Sequence, residues 1–282
     1  MTLILSCATQ KYAIQVADRR LTIIGGKGNG HVVDDNANKS LLFCGRMAFG
    51  YTGLAHIISE KTDKWLTRIL SESKCESLSD ACNCIRDSAT EYLKRLSISK
   101  ILKRQAFVGV GWTKSSTDEH FKPVVCQISN AIDSSGNWIN EANDKFELKY
   151  SILEETVKFG LLSAGHEFKG AHRNIVMRYL HECIENDENP YDIMKILADA
   201  IRTVSTYDST VGEALLAVSI PKVRAGEKAV FAIASTPNKD SLTFLYIIPV
   251  GDNKGIQYGP NFVCAGSAMT DFQGGPIPSS GN

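Results

Sequence analysis

Residues 2–18, TLILSCATQKYAIQVAD, contain two nearly continuous apolar runs. The runs cover residues 3–8 and 12–17, and the more polar residues 9–11 separate them. Runs of this length without helical periodicity are typical of strands that are covered on both faces. The segment therefore predicts a buried antiparallel strand pair that begins directly after Met1.

The first twenty residues do not show the order of a secretory signal peptide, which is a basic segment, an apolar core and a small-residue cleavage site. The chain has 282 residues, 43% hydrophobic and 22% charged, with 31 basic and 31 acidic residues. This balance gives no support for a nucleic-acid surface. No apolar stretch approaches the roughly 18 residues that span a bilayer. We therefore expect a cytoplasmic globular protein without nucleic-acid or membrane partners.

The rest of the chain alternates groups of strands with pairs of helices. Strand-like apolar runs occupy residues 39–53, 106–112, 123–128, 158–165, 213–220, 229–235 and 243–250. Helical patterns occupy residues 54–72, 77–96, 171–186 and 189–205. This order predicts an α+β fold in which two antiparallel sheets stack between helix pairs, a four-layer αββα sandwich.

Local signals support the individual helices. Ser77 and Asp80 form a candidate capping box, and Asn189 is a candidate N-cap followed by Pro190 at the first helical position. The first helix is predicted from apolar residues at helical intervals, namely Leu54, Ile58, Trp65 and Ile69.

Two segments rich in turn-forming residues lie outside this pattern. Residues 129–147 are predicted to be a loop insertion. Residues 251–282 form a C-terminal extension rich in Gly, Pro, Ser and Asn, whose last ten residues are predicted to be disordered. The sequence thus predicts one domain over residues 2–250, followed by the extension.

Thr2 is the first residue that could carry chemistry. Removal of Met1 would leave a hydroxyl nucleophile and a free amine on the same residue. The α-amine has a pKa of about 7.7–8.0, so a modest downward shift makes it a neutral base at physiological pH. Many proteins begin with Met-Thr, so Thr2 needs companions before it indicates a nucleophile.

Three residues could act with Thr2. An antiparallel first hairpin brings Asp18, at the end of the second strand, back towards Thr2. Lys39 would depress the pKa of the amine and stabilise a developing alkoxide, and the Gly53 N–H could bind an oxyanion. We expect Lys39→Ala to abolish turnover. We expect Asp18→Asn to reduce it less, because Lys39 could stay charged in contact with water.

This set resembles the proteasome β-type family of N-terminal nucleophile (Ntn) hydrolases, which includes the HslV-like proteins. The resemblance covers about residues 2–250 and implies catalytic roles for Thr2, Asp18, Lys39 and Gly53. Gly53 follows Lys39 by fourteen positions, as the oxyanion glycine does in that family. The resemblance also implies three supporting residues, which are Arg20, Asp208 and Gly212, the last two within YDSTVGEALLAVSI.

Two positions depart from the family pattern. His166, in SAGHEFKG, stands where the family has a serine near the nucleophile, and Val211 replaces a second supporting serine. His166 is either a contact of the site or a solvated turn histidine.

The resemblance implies a threonine-type peptidase that acts through a Thr2 acyl-ester on a peptide or protein substrate. Two alternatives stay open. One is an acylase or peptide ligase with the same chemistry, and the other is a catalytically silent ring or scaffold subunit. The resemblance also implies self-association through the helices, and we expect exposed apolar positions on the second helix to contribute.

Other residue patterns do not support a cofactor or metal. Cys82 and Cys84 are separated by one residue and have no companion CxxC pair, so a zinc site is not predicted. GGKGNG, residues 25–30, lacks the order of a phosphate-binding loop, and His166 and His172 do not have HExxH spacing. We therefore assign no cofactor, no metal and no nucleotide.

Overall fold

The structure is a computed structural model. It describes residues 2–24, 30–57, 60–73, 75, 77–114, 120–133, 138–166, 168–187, 189–222, 228–234, 243–249, 256–258, 261–263 and 272–273. Met1, Ile58, residues 25–29 of the GGKGNG segment and residues 274–282 of the predicted disordered end lie outside these ranges.

The described chain contains strands and four helices in the expected alternation. In order, the strands are β1 (Leu3–Thr9), β2 (Tyr12–Asp18), β3 (Leu21–Ile24), β4 (Gly30–Asp34), β5 (Ser40–Phe43), β6 (Met47–Thr52), β7 (His56–Ile57), β8 (Glu60–Lys61), β9 (Ala106–Thr113), β10 (Lys122–Ser129), β11 (Glu147–Ile152), β12 (Phe159–Gly165), β13 (Leu215–Pro221), β14 (Lys228–Ala234), β15 (Thr243–Pro249), β16 (Ile256–Tyr258), β17 (Asn261–Val263) and β18 (Phe272–Gln273). The helices are α1 (Thr62–Glu72), α2 (Leu78–Lys94), α3 (Gly170–Asp187) and α4 (Pro190–Ser205).

Two large sheets organise these strands. A six-stranded sheet has the order β12-β1-β2-β13-β14-β15, and an eight-stranded sheet has the order β11-β10-β9-β6-β5-β16-β17-β18. β1 and β2 pair antiparallel with Ile4 opposite Ala17, and every residue of β1 is buried. The buried hairpin predicted from residues 2–18 is therefore confirmed.

Side chains alternate between two cores along β1, which explains its continuous apolar run. Leu3 and Leu5 pack with residues of α3 and α4, such as Leu180 and Leu197. Ala8 instead packs against the other sheet, in a cluster that includes Leu42, Ala48, Val110 and Trp112. A third cluster joins α1 and α2 to the eight-stranded sheet through Trp65, Ile85, Phe49, Phe107 and Ile128.

Helix α1 begins later than the sequence pattern predicts. The expected helix started at Leu54, but the helix starts at Thr62, after the short β7–β8 hairpin. The Thr62 N–H donates to Ala55 O at 2.9 Å, and the Thr62 hydroxyl donates to Leu54 O at 2.7 Å. Because these bonds close a loop, Leu54 packs against the core from outside the helix.

The signals at the starts of α2 and α4 are confirmed. Ser77 and Asp80 exchange both hydrogen bonds of a capping box, and the Asn189 side chain accepts from Tyr191 N at 2.9 Å. Within the described helices, none has the length and apolar content that would let it cross a membrane.

Sequence reasoning missed several strands outside the main pattern. β3 and β4 flank the GGKGNG segment, and β11 follows the predicted loop insertion. β11 lies at one edge of its sheet and exposes Tyr150 and Ile152, so it lacks the buried apolar run that marks the other strands. Beyond Gly251, β16 pairs with β5, so part of the C-terminal extension joins the eight-stranded sheet.

The expectation of an apolar surface on the second helix is wrong. No large apolar side chain of α2, all of whose residues are described, is exposed. The exposed pair on a helix is Ile175 and Tyr179 of α3, because α3 has apolar residues on more than its buried face.

Removal of a buried side chain from α2 should test the core under the eight-stranded sheet. Ile85→Ala should lower the free energy of unfolding by about 2–5 kcal/mol, because Ile85 is fully buried and its loss leaves a cavity. Ile175→Ala is the matched control, since Ile175 is 44% exposed on α3. Urea unfolding measures both variants, and equal losses would contradict this packing.

Candidate active site

The site lies where several strand ends meet. β1 begins and β2 ends at the same edge of the six-stranded sheet, and Leu215 at the start of β13 pairs with Asp18. In the facing sheet, β5 begins next to the end of β6, with Ser40 opposite Gly50. This geometry places the residues that precede β1 and β5, Thr2 and Lys39, at one end of the two sheets.

Thr2, Asp18 and Lys39 are in direct contact. Lys39 Nζ donates to Thr2 Oγ1 at 2.7 Å and to Asp18 Oδ2 at 3.1 Å. Lys39 and Asp18 are fully buried, and Thr2 is only 6% exposed. The structure therefore brings together the three polar side chains that the sequence placed in the site.

Lys39 uses its three N–H donors fully. The third donates to the backbone carbonyl of Arg20, so an ammonium at this position is completely hydrogen-bonded. Burial lowers the pKa of Lys39 from its ordinary value, and the adjacent Asp18 carboxylate opposes this. Since Lys39 donates to Thr2 Oγ1, the hydroxyl proton of Thr2 is left to point at another acceptor. That arrangement suits a nucleophile.

The Asp18 carboxylate is surrounded by donors. Besides Lys39, it accepts backbone N–H groups from Leu3 at 2.9 Å, Arg20 at 3.0 Å and Gly212 at 3.1 Å. Gly212 is required by close approach, because a Cβ there would lie 2.7 Å from Arg20 Cβ. Glycine at position 212 thus allows its N–H to reach Asp18 beside the Arg20 backbone.

The Arg20 side chain binds segments from two other parts of the chain. It pairs with Asp35, with Nε 2.6 Å from Oδ1, and donates to Ser209 O at 2.9 Å. The hydrogen bond that Arg20 donates to Asp35 raises the pKa of Arg20 above its ordinary value. Asp35 was not predicted from the sequence. It lies between the first two predicted strand pairs, and this position could have indicated that it approaches the site.

Gly165 packs onto the backbone of Thr2. Its φ is +96°, and a Cβ there would lie 1.8 Å from Thr2 O and 3.0 Å from Thr52 Oγ1. The Thr52 hydroxyl therefore borders Thr2 across Gly165. Sequence reasoning did not single out either residue.

Gly53 follows Thr52 directly in the chain. Its φ is +107°, and a Cβ there would lie 2.3 Å from Arg104 O, so only glycine fits. Among the described residues, no hydrogen bond joins Gly53 to Thr2. Its link to the site runs through the preceding Thr52.

His166 contacts the site through both its backbone and its ring. Its N–H donates to Thr2 O at 2.6 Å. Its ring Nδ1 is buried and lies 2.7 Å from Asp208 Oδ2, although the ring N–H is not aligned for a full hydrogen bond. His166 is therefore bonded to Thr2 through its backbone, and its side chain, 16% exposed, lies beside Asp208.

Asp208 is held by its neighbours as well as by His166. Its Oδ1 accepts from Thr210 N at 2.8 Å and from Thr210 Oγ1 at 2.6 Å. Burial alone would raise the pKa of Asp208, but the Thr210 hydrogen bonds and His166 outweigh it and lower the pKa. The departure at Val211 has a different cause, because Val211 is fully buried in the core beneath α4.

The described residues do not gather metal ligands. No group of three His, Cys, Asp or Glu side chains in the described ranges has the geometry to hold a metal. Cys82 Sγ lies 3.7 Å from Cys126 Sγ in the α2 core, and Cys84 Sγ faces Ile69 O instead.

Comparison with solved structures finds a similar fold. The (Gly-1) mutant of Anbu from Hyphomicrobium sp. strain MC1 superposes with a TM-score of 0.51 and 13% identity, over 89% of this chain and 87% of that chain. Anbu is a proteasome-like protein of the Ntn type. The fold of this chain is proteasome-like. No family model and no curated protein matches the sequence.

The structure contradicts the premise of one expectation about the ion pair. Asp18→Asn was expected to reduce turnover less than Lys39→Ala because Lys39 could stay charged in contact with water. Lys39 is 0% exposed, so it has no such contact. Loss of the Asp18 charge would leave a buried ammonium without its counter-ion.

Asp18→Asn should therefore lower the free energy of unfolding by about 3–5 kcal/mol, the usual cost of breaking a buried pair. Asp35→Asn is the control. Asp35 is 45% exposed, so breaking its pair with Arg20 should cost about 1 kcal/mol or less. Urea titration of both variants at neutral pH gives the comparison. Similar losses of free energy of unfolding in the two variants would show that burial does not increase the contribution of the Asp18–Lys39 pair to stability.

The hydrogen bonds from Thr210 to Asp208, together with the His166 contact, predict that stability depends on pH. The folded-state pKa of Asp208 is depressed, so its contribution to stability is complete above the unfolded pKa and is lost as pH falls through the folded pKa. Above about pH 4, Asp208→Asn should therefore have a lower free energy of unfolding than the parent protein. At lower pH this difference should shrink. Asp87→Asn, with a 66% exposed carboxylate, is the control. If the difference in free energy of unfolding between Asp208→Asn and the parent does not shrink on acidification, the Asp208 carboxylate is not the source of the pH dependence.

Proposed function

We propose that this protein is a threonine-type Ntn amide hydrolase, acting on peptides through a Thr2 acyl-ester once Met1 has been removed. The observation that carries the proposal is the buried hydrogen bond from Lys39 Nζ to Thr2 Oγ1, with Asp18 as the counter-ion. The similarity to Anbu supports a hydrolase of this general kind. The chemistry itself is argued from the side chains of this chain.

The proposed reaction begins with the amine of Thr2. The amine takes the hydroxyl proton, and Oγ1 forms a bond to the carbonyl carbon of the substrate. Lys39 stabilises the developing charge on Oγ1, and the Gly53 N–H is the proposed donor to the oxyanion. The amine then gives its proton to the leaving nitrogen as the C–N bond breaks. An acyl-ester remains on Thr2.

Resolution of the ester restores the enzyme. A water molecule gives a proton to the Thr2 amine and attacks the ester carbon. As the bond to Oγ1 breaks, the amine returns this proton to Oγ1 and a carboxylic acid leaves. If a second amine attacks instead, the product is a new amide, as in an acylase working in reverse or a peptide ligase. The acceptor depends on how far the filled site excludes water.

The proposal includes the fold and assembly expected from the sequence. A four-layer αββα domain over residues 2–250 is supported by the packing of α1 and α2 on one sheet and of α3 and α4 on the other. Self-association in the cytoplasm is part of the same proposal, with Ile175 and Tyr179 as the exposed apolar pair on α3.

A catalytically silent scaffold subunit is the second candidate. Val211 favours it, because a buried apolar side chain occupies a position where the resembling family has a supporting hydroxyl. The two candidates differ in whether Thr2 is exposed as an N-terminus and whether its hydroxyl reacts.

Intact-mass spectrometry of untagged protein, before and after a peptide epoxyketone, tests the proposal. We expect loss of the Met1 mass and one adduct that maps to Thr2, because the freed amine and Oγ1 together react with this electrophile. Thr2→Val is the matched control, since it keeps the β-branched shape without the hydroxyl. Retained Met1, or adducts confined to cysteines such as Cys75, would favour the scaffold.

A further inference from the structure

A small group of polar side chains lies buried between the two large sheets. It consists of Ser6 on β1, Gln15 on β2 and Ser40 on β5, and we call it the Gln15 network. Ser6 and Gln15 are 0% exposed, and Ser40 is 3% exposed. Packing around the network is apolar, because Val108, whose carbonyl binds Gln15, belongs to a buried cluster with Ile4. The network is therefore cut off from water.

The hydrogen bonds of Gln15 join one sheet to the other. Its Nε2 donates to Ser6 Oγ at 3.0 Å and to Val108 O at 3.3 Å, so both amide N–H groups are used. Its Oε1 accepts from Ser40 Oγ at 2.5 Å. Gln15 and Ser6 belong to the six-stranded sheet, whereas Ser40 and Val108 belong to the eight-stranded sheet. The network thus crosses the space between the sheets.

Stability alone does not require polar side chains at these positions. Replacing a complete buried hydrogen-bonded group by apolar side chains of similar shape is often neutral or stabilising. Apolar contact has no preferred direction, whereas a hydrogen bond is strong only over a narrow range of distances and angles. The network therefore defines the position of one sheet against the other more sharply than apolar packing does.

The candidate active site needs such a definition because its side chains come from both sheets. Thr2 and Asp18 lie at the ends of strands in the six-stranded sheet, and Lys39 immediately precedes β5 in the other sheet. The Lys39 ammonium must reach Thr2 Oγ1 at 2.7 Å and Asp18 Oδ2 at 3.1 Å. A small shift between the sheets would lengthen both contacts.

The network is attached to Lys39 through its neighbour and through a shared packing contact. Ser40 follows Lys39 directly in the chain and lies opposite Gly50 on β6. A Cβ at Gly50 would lie 2.9 Å from Gln15 Oε1 and 3.1 Å from Lys39 O. The amide of Gln15 and the backbone of Lys39 therefore pack against the same glycine.

We propose that Gln15, acting through Ser40, is a positioning residue that holds the Lys39 ammonium against the Thr2 hydroxyl. The inference rests on the proposed function and adds residues that act on the reaction without touching the substrate. Ser6 completes the network by fixing the Gln15 amide from the neighbouring strand β1.

The test replaces the whole network at once. A variant with Gln15→Leu, Ser6→Ala and Ser40→Ala, the apolar variant, leaves no unpaired side chain of the network. We expect it to unfold at a urea concentration similar to that of the parent protein. Modification of Thr2 by the peptide epoxyketone should become roughly tenfold slower or more, because Lys39 is no longer held at Oγ1.

Trp112→Phe is the matched control. Trp112 Nε1 donates to Ile220 O at 3.2 Å, so this variant also loses a buried hydrogen bond between the sheets. Ile220 lies at the end of β13 away from Asp18, which pairs with Leu215. We expect Trp112→Phe to be less stable than the parent and to modify Thr2 at the parental rate. Equal rates of Thr2 modification in the apolar variant and Trp112→Phe would overturn the proposal.

The pH dependence of the modification separates positioning from a general structural defect. A nearby ammonium lowers the pKa of the Thr2 amine, so displacement of Lys39 should raise the pH midpoint of the rate by about half a unit. The other charged groups around Thr2 are Asp18, His166 and Asp208, and they are the same in both proteins. A slower rate with an unchanged midpoint would contradict positioning of Lys39.

Ser40→Ala keeps the test decisive if the apolar variant does not fold. It removes the hydroxyl that joins β5 to Gln15 and leaves the other two residues in place. A slower modification of Thr2 with a raised pH midpoint supports the proposal. The parental rate and midpoint in Ser40→Ala would overturn it.

A double-mutant cycle tests the network without any reaction at Thr2. Lys39→Met is introduced into the parent protein and into the apolar variant, and urea unfolding is measured for all four proteins. In the parent this change leaves buried Asp18 without its counter-ion. Because Lys39 is displaced in the apolar variant, the change in the unfolding equilibrium constant should be roughly fivefold smaller there.

The cycle and the adduct separate the two proposals. A smaller effect of Lys39→Met in the apolar variant supports the network even if Thr2 forms no adduct and the hydrolase proposal fails. Equal effects of Lys39→Met in both backgrounds would overturn the positioning role. Thr2 adducts at the parental rate in the apolar variant would leave the hydrolase standing and likewise overturn the network proposal.

Discussion

The buried Asp18 carboxylate is the interaction on which the rest of the site depends. It accepts hydrogen bonds from Leu3, Arg20 and Gly212 backbone N–H groups and from the Lys39 ammonium. A buried carboxylate without such donors is strongly unfavourable, so the segments that supply them are held together. Because Leu3 is one of those donors, the position of Thr2 follows from the same carboxylate.

The ion pair of Lys39 and Asp18 affects both the stability of the fold and the chemistry of the site. Burial removes Lys39 from water and lowers its pKa, while Asp18 favours the charged form. The Lys39 ammonium has three acceptors and no freedom to rotate towards solvent. Its positive charge therefore stays directed at Thr2 Oγ1. The same lack of water makes either partner costly to lose. A fold that needed only stability would be served as well by apolar residues there.

Much of this arrangement could be predicted from the sequence because it depends on strand direction. Antiparallel pairing of residues 3–8 with 12–17 brings Asp18 back towards Thr2. This approach does not depend on the fold of the rest of the chain. Features that depend on distant partners could not be predicted. Leu54 fits a helical pattern, but a bond from Leu54 N to Gln105 Oε1, 51 residues away, fixes it in a loop. The contact of the His166 ring likewise depends on Asp208, which follows a whole helix pair in the chain.

Arg19 connects the segment before Lys39 to the second strand. Its guanidinium donates to Asn36 O at 2.5 Å and to Ala37 O at 3.3 Å, and Arg19 O accepts from Ala37 N at 3.0 Å. Arg19 is only 8% exposed and follows Asp18 directly in the chain. The backbone of Asn36 and Ala37 is therefore fixed to the residue next to the central carboxylate. The segment that ends at Lys39 and the carboxylate that binds the Lys39 ammonium thus share one buried support.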